Sequence, residues 1–281
     1  MGIPFIGSEA VASGRLTKYQ LRSKYVAVHH DVYLARESTL TAASRAKSAW
    51  LWSGRDAVVA GRSAAALHGA KWVADDAPAQ ILYRNRRPPQ GIHTWSDRFA
   101  DDEVQTVNGV VVTTPARTAL DIACHYPFDS AVAAIDALAR ATKLEVANVE
   151  ALAERYRGRR GIRAALEVLG LVDPGAESPQ ETRVRLLLIR AGFPRPETQL
   201  PVYDEFGQLV AQLDMGWRDV MVGVDYEGKH HWKTPQQIRR DIRRHDLVTE
   251  LGWIDVRVTA EDSDGAIIGR VGRARVRARR T

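Results

Sequence analysis

Segment 212–232 reads QLDMGWRDVMVGVDYEGKHHW and predicts two β-strands joined by a short turn. Within it, apolar and polar residues alternate from about residue 219 to residue 227, as they do in a strand whose two faces meet different surroundings. The apolar face carries Val220, Val222, Val224 and Tyr226. The polar face carries Met221, Gly223, Asp225, Glu227 and Lys229.

The acidic residues of this hairpin predict a metal site. Strand residues two apart lie roughly 6.6 Å apart on one face, so Asp225 and Glu227 can reach one cation. Asp214, near the end of the preceding strand, can approach the same point. Three carboxylates beside the ammonium of Lys229 favour a bound divalent metal, because their repulsion is otherwise costly. The cluster therefore predicts a Mg²⁺ (or Mn²⁺) cofactor and phosphodiester hydrolysis by activated water.

A second interpretation of the strand is structural. Charged residues on one face of a strand are also typical of the solvated face of an antiparallel sheet. Gly223 weighs against this interpretation, since exposed strands rarely contain glycine without a close approach of another group. An acidic helix before the hairpin and a helix rich in His, Asp and Arg after it also favour a functional site.

The C-terminal third resembles the PD-(D/E)xK nuclease superfamily, and within it the very-short-patch-repair-like endonucleases of a domain type found in actinobacteria. The resemblance implies an αβββαβ core with a metal site at the edge of a mixed sheet. It implies Asp214 and Asp225 as metal ligands, while Glu227 stands where the superfamily usually has lysine. The matching pieces are ESPQETRVRLLLIRAGFPRPETQ, QLDMGW, VDYEGKHHW and RRDIRRHDLVTELGWIDVRVTAED.

Further catalytic candidates flank the acidic cluster. Glu181 matches the helical acid of the family, whereas Glu177 is expected to interact with the positive helix N-terminus. Lys229 lies one strand repeat beyond the usual lysine position and can stand in for it. His231 matches the family position for a residue that assists the attacking water, although a strand-end histidine of no catalytic role is the alternative.

The helix after the hairpin is strongly basic. Its arginines predict a phosphate-binding surface beside the nuclease-like site, although such a run is also typical of a solvated helix face. The candidate nucleic-acid-binding residues are Arg239, Arg240, Arg243 and Arg244.

The sequence pattern of residues 1–77 predicts a small winged-helix-like region. GRLTKYQLRSKYVAVHHDVYL, residues 14–34, indicates a helix capped at Thr17 and then a strand. With the SAAALHG segment that follows, it resembles the start of AbiEi-type antitoxins of bacterial type IV toxin–antitoxin systems. The usual recognition helix is shortened, so a packing module without base contacts is the alternative.

A mixed middle module is predicted over residues 78–173. Asn108-Gly109 indicates a type I′ hairpin, and Thr114-Pro115 begins a helix in TTPARTALDIA, which also resembles the actinobacterial proteins named above. Arg117 and Asp121 are four residues apart and predict an intrahelical ion pair. LVDPGAESP, with its proline and glycine, predicts a linker before the nuclease-like domain at residues 174–281.

The composition favours a cytoplasmic protein whose partner is a polyanion. The formal net charge is +6 with a pI near 9.6, which suits nucleic acid, with DNA expected before RNA. Cys124 is the single cysteine, so intramolecular disulfides and cysteine-rich zinc sites are excluded. No stretch is long and apolar enough to cross a membrane, and the N-terminus has no convincing signal peptide.

Together these patterns predict an α/β protein, α+β overall, that hydrolyses phosphodiester bonds with a divalent metal. The competing hypothesis is non-enzymatic. In it, the chain is a DNA-binding regulator or antitoxin whose nuclease fold is a degenerate scaffold, because fold does not guarantee function.

Overall fold

The computed structural model describes residues 2–85, 87–228 and 235–279, and these form two compact units, Met1–Pro174 and Gly175–Thr281. The division falls inside the segment that the sequence predicts as a linker. The described residues contain helices, two sheets in the first unit and one in the second, so the protein is α+β overall. No helix among them is both long enough and apolar enough to cross a membrane.

The first unit begins with a three-stranded sheet and continues into a five-stranded sheet and a helical cluster. Its elements are β1 (Phe5–Ile6), α1 (Gly7–Ala12), α2 (Lys18–Lys24), β2 (Tyr25–His29), β3 (Val32–Ala35), α3 (Ala42–Trp52), β4 (Val58–Val59), α4 (Gly61–Leu67), β5 (Ala79–Leu82), β6 (Ile92–Trp95), β7 (Val104–Val107), β8 (Val110–Thr113), α5 (Pro115–His125), α6 (Phe128–Thr142), α7 (Val146–Glu154) and α8 (Ile162–Leu169).

The N-terminal sheet has the order β1-β3-β2. The predicted cap of α2 is confirmed, because the Thr17 hydroxyl accepts a hydrogen bond from the amide of Gln20. The single strand expected after α2 is wrong, since the chain reverses between β2 and β3. Asp31 makes this turn with a φ of 58°, and its carboxylate accepts hydrogen bonds from the amide and hydroxyl of Ser8.

The five-stranded sheet has the order β6-β5-β4-β8-β7 and shares a core with α3 and α4. The predicted type I′ hairpin joins β7 to β8, because Asn108 and Gly109 both have positive φ, at 50° and 74°. Both residue types tolerate this left-handed conformation, which matches the twist of the paired strands. Helices α5 to α8 pack on one another after the sheet.

The second unit is a mixed sheet with helices on both faces. Its elements are α9 (Pro179–Arg190), β9 (Glu197–Tyr203), β10 (Leu209–Trp217), β11 (Val222–Glu227), α10 (Pro235–Glu250), β12 (Ile254–Thr259) and α11 (Asp264–Ala278). The strand order is β12-β11-β10-β9, with β12 parallel to β11 and the other pairs antiparallel. The element order from α9 to β12 is the αβββαβ order that the nuclease resemblance implies.

The alternation predicted for β11 is confirmed. Val222 and Val224 lie in the apolar core formed with α9 and α11, and Tyr226 packs against that core. The opposite face meets α10, whose Val248 packs with Leu213 in a second cluster. The strand begins at Val222, three residues later than expected, because residues 218–220 form a 3₁₀ turn and Met221 takes a φ of 50°.

Candidate functional site

Asp214 and Asp225 lie opposite each other where the pairing of β10 with β11 ends. The last ladder pair is Met215 with Val224. Beyond it, side chains replace backbone partners: the Asp214 amide donates to Asp225 Oδ1 at 2.8 Å, and the Tyr226 amide donates to Asp214 Oδ2 at 2.7 Å. The two carboxylates are thus fixed in position at the point where the strands separate.

Burial dominates the electrostatics of this acidic pair. It raises the pKa of Asp214 from its ordinary 3.8 to about 7, and the charges of Asp225 and Glu181 add to the rise. The pKa of Asp225 is raised as well, first by burial and then by the charge of Asp255, while Arg244 opposes the rise. A buried carboxylate with raised pKa beside other carboxylates is frequent at functional sites.

Glu181 joins the pair from the first turn of α9. Its carboxylate accepts hydrogen bonds from the amide of Glu177 at 2.8 Å and from the hydroxyl of Ser178 at 2.9 Å. Ser178 in turn accepts from the Glu181 amide, so the N-terminus of α9 is capped reciprocally. Glu181 therefore has a structural role in addition to its charge effect on Asp214.

Glu227 points toward the neighbouring strand. Its Oε1 lies 3.1 Å from Nη1 of Arg257 on β12, and both side chains are a little over one-third exposed. Because this carboxylate is already paired, it is not held beside Asp214 and Asp225 in the way the metal-site prediction expects. The parallel register explains the contact, since it places Asp225 beside Arg257 and Glu227 beside Thr259.

The four arginines predicted to bind phosphate divide into two groups. Arg244 turns into the site, where its Nη2 donates to Asp225 Oδ2 and to the carbonyl of Gln212, both at 2.7 Å. The other three are exposed on α10, and they are Arg239, Arg240 and Arg243. Arg244 thus pairs with one acid of the site, while the remaining three lie exposed on the helix.

Asp255 and His245 belong to the site and were not predicted. The side chain of Asp255 on β12 is only 4% exposed, and its Oδ2 lies 3.3 Å from Nδ1 of His245 on α10 and 3.5 Å from Nε of Arg257. Consecutive residues Arg244 and His245 therefore contact acids on two neighbouring strands. The alternating sequence IDVRV held the signal, because it places residues 255 and 257 on one face of an edge strand.

The fit of a metal to these residues is partial. Asp214 and Asp225 offer two hard oxygen donors in a buried, repulsive setting that a cation would relieve. Within residues 2–85, 87–228 and 235–279, however, no group of three His, Cys, Asp or Glu side chains is arranged to hold a metal ion. The predicted Lys229 and His231 lie outside the described residues.

A second charged cluster is buried in the first unit. Arg117 has a fully buried side chain, and its Nε donates to Asp121 at 2.9 Å, as the predicted intrahelical pair. Its Nη1 also contacts Glu103 and the hydroxyl of Tyr156. Arg159 reaches the same carboxylate of Asp121 at 2.8 Å. The network ties α5 to the turn after α7 and to the turn before β7.

Comparison with known proteins locates the antitoxin likeness in the same unit. Residues 57–171 match the model of the AbiEi antitoxin C-terminal domain. The match spans the five-stranded sheet and α4 to α8, so it contains the SAAALHG and TTPARTALDIA segments. The antitoxin likeness had been expected mainly as a winged helix over residues 1–77, and the matched domain instead lies largely in the predicted middle module.

Relatives match almost the whole chain. Two proteins described as uncharacterized, from two strains of Mycobacterium tuberculosis, are each 31% identical to it over 257 residues, which is 90% of this chain and 93% of each relative. No solved structure matches the chain. By this identity over nearly its full length, the chain belongs to the family of these mycobacterial proteins, and it carries a segment similar to the C-terminal domain of AbiEi antitoxins.

Proposed function

We propose that the protein is an antitoxin-like regulator that binds nucleic acid. The observation that carries the proposal is the match of residues 57–171 to the AbiEi antitoxin C-terminal domain. Nucleic-acid binding is supported by the pI near 9.6 and by the exposed arginines of α10. Guanidinium groups suit phosphate oxygens, and such contacts position a nucleic acid without specifying its sequence.

A binding titration tests this proposal. Arg239 and Arg243 are four residues apart and exposed, so Arg239→Ala/Arg243→Ala removes two charges from one helix face. We expect weaker binding to a DNA duplex and a flatter dependence on salt between roughly 50 and 200 mM. Arg244 is left intact because it holds Asp225.

A matched variant in α2 locates the principal binding surface. Lys18 and Arg22 are exposed on this helix and also four residues apart. If Lys18→Ala/Arg22→Ala weakens binding and the α10 variant does not, the N-terminal region that contains α2 is the main nucleic-acid-binding surface. Absence of any measurable binding by the unmodified protein would contradict the proposal itself.

Metal-dependent phosphodiester hydrolysis is a second candidate function, and a specific observation favours it. The Asp214 carboxylate has a pKa of about 7 beside Asp225 and Glu181, an arrangement that a divalent cation would stabilise. Asp214 and Asp225 would hold the Mg²⁺ or Mn²⁺, which supplies Lewis acidity when bound. Arg244 would hold Asp225 in place, while Glu227 stays paired with Arg257 of the neighbouring strand.

Cleavage and stability assays separate the two candidates. Plasmid and single-stranded DNA are incubated with Mg²⁺, Mn²⁺ or EDTA, and Asp214→Asn and Asp225→Asn serve as inactive variants. If hydrolysis occurs, both substitutions abolish it, and the metal-induced rise in melting temperature disappears with them. No cleavage and an equal metal effect on all three proteins would reject the hydrolytic candidate and leave nucleic-acid binding untouched.

A further inference from the structure

A cleft of about 490 Å³ lies along the outer edge of the sheet in the second unit. Its floor is β12, an edge strand that pairs only with β11 in the described sheet. Helices α10 and α11 form its walls. The ionisable side chains that line the cleft are His245, Asp255, Arg257, Arg270, Arg273 and Arg277.

The arginines of α11 line the cleft in a regular row. Arg270, Arg273 and Arg277 follow the i, i+3, i+7 spacing that places residues on one face of a helix. Seven residues of helix span roughly 10 Å, so the row runs along the strand edge rather than converging on one point. With Arg257 on the floor, the lining contains four arginines and one carboxylate, Asp255, while Arg270 also pairs with Asp262 outside the lining at 2.6 Å.

The cleft begins beside the acidic pair. Arg257 contacts Asp255 within the cleft and Glu227 on the neighbouring strand, at 3.5 Å and 3.1 Å. His245 lies at the same end, directly after Arg244, which binds Asp225. The end of the cleft that contains His245 and Arg257 is therefore the end linked by contacts to the acidic pair.

We infer that this cleft binds successive phosphates of a nucleic-acid strand. The inference rests on the proposed nucleic-acid binding and names the surface that performs it. Planar guanidinium groups bind phosphate oxygens in pairs of parallel hydrogen bonds, and a row of them suits a phosphodiester backbone better than a single anion. The exposed arginines of α10 then contact a different part of the same nucleic acid.

The test compares two variants that lose the same charge. Arg273→Gln/Arg277→Gln removes two arginines from the cleft, and Arg163→Gln/Arg279→Gln removes two exposed arginines outside it. Fluorescence anisotropy measures binding of the full chain, in EDTA, to single-stranded DNA and RNA of one sequence. We expect the cleft variant to lose about tenfold in affinity and its salt slope to flatten by about 1.4, the value for two phosphate contacts on a single strand.

The possible outcomes separate a failure of the cleft inference from a failure of the proposed function. If the unmodified protein binds and both variants bind alike, the cleft is not the phosphate surface, although nucleic-acid binding stands. If the unmodified protein does not bind, the proposed function fails and the inference with it.

Restoration of binding by Arg273→Lys/Arg277→Lys supports a charge contact, and thermal melting of each variant excludes loss of the fold as the cause. The DNA and RNA arms show which backbone the cleft prefers.

Discussion

At the scale of single residues, Asp214 is expected to make stability depend on pH. Its folded pKa of about 7 exceeds the ordinary 3.8, so the folded chain binds this proton more tightly than the unfolded chain does. The free energy of unfolding therefore falls as pH rises from about 4 to about 7. Asp214→Asn removes this loss, and at about pH 8 the variant should be the more stable protein, by no more than about 4 kcal/mol.

Urea unfolding at about pH 5 and about pH 8 measures this effect. Asn retains an oxygen acceptor for the Tyr226 amide, so the hydrogen bond at the strand end is kept. Asp246→Asn, on the exposed face of α10, is the control and should leave the difference between the two pH values unchanged. An equal fall in stability for wild type and Asp214→Asn would contradict the raised pKa.

The sequence identified the acidic pair but not its counter-charges. Alternation in β11 fixes which face Asp225 occupies, because strand geometry has a period of two. It does not reveal that Arg244 reaches back from α10 to Asp225, or that Arg257 pairs with Glu227, since both contacts join elements distant in the chain. Asp255 was missed for the same reason, as its role depends on its parallel register with Gly223.

At the scale of elements, a pair of glycines lets β10 and β11 approach closely. Gly216 and Gly223 are directly opposite each other in the ladder. A Cβ on Gly216 would lie 2.5 Å from the carbonyl oxygen of Val222, and one on Gly223 would lie 2.4 Å from Leu213 Cδ1. The close approach expected at Gly223 from the sequence is thus confirmed, and a leucine fills the space.

Alanine substitutions test this packing. Gly216→Ala should lower the free energy of unfolding by about 1 to 3 kcal/mol, because the backbone of Val222 must shift. Gly223→Ala should cost less, since the end of a side chain can turn away. Gly265→Ala is the control: nothing lies within 4 Å of its Cβ position in α11, so stability should hold or rise. Equal effects at all three glycines would contradict the argument.

Helix α5 depends on the buried network around Arg117. Arg117→Met removes the counter-charge of Glu103 and Asp121 and should lower the free energy of unfolding by about 3 to 5 kcal/mol. Arg157→Met removes an exposed partner of Glu154 and should change stability by less than about 0.5 kcal/mol. Guanidinium chloride unfolding compares the two, and a small effect of both would show that the buried charges are dispensable.

In the first unit, the sequence predicted local structure better than it predicted contacts between distant elements. The i, i+4 spacing indicated the pair of Arg117 with Asp121, because helical geometry alone brings these residues together. The contacts of Arg117 with Glu103 and Tyr156 span 14 and 39 residues, and no local pattern encodes them. The hairpin between β2 and β3 was missed because His30-Asp31 is a weaker turn signal than Asn-Gly.

At the scale of the whole molecule, two compact units predict two unfolding events. Each unit has its own core, in one case around the five-stranded sheet and in the other around β10, β11 and α11. Calorimetry should resolve two transitions, because separate cores unfold as separate cooperative units. Arg117→Met should lower the melting temperature of one, and Gly216→Ala that of the other. A single transition that both substitutions shift would contradict the division.

The capping carboxylate of Glu181 has a consequence for backbone motion. It holds the amide hydrogen of Glu177 at the start of α9, and its charge is also felt by Asp214. We expect ionisation of Asp214 to repel the Glu181 carboxylate and so to weaken its hydrogen bond with the Glu177 amide, which would raise deuterium uptake there. Deuterium uptake at the Glu177 amide, compared with Asp214→Asn at one pH, therefore reports the charge state of a carboxylate on another element. Exchange at the amide just before α9 thus reports the charge at the point where the pairing of β10 with β11 ends.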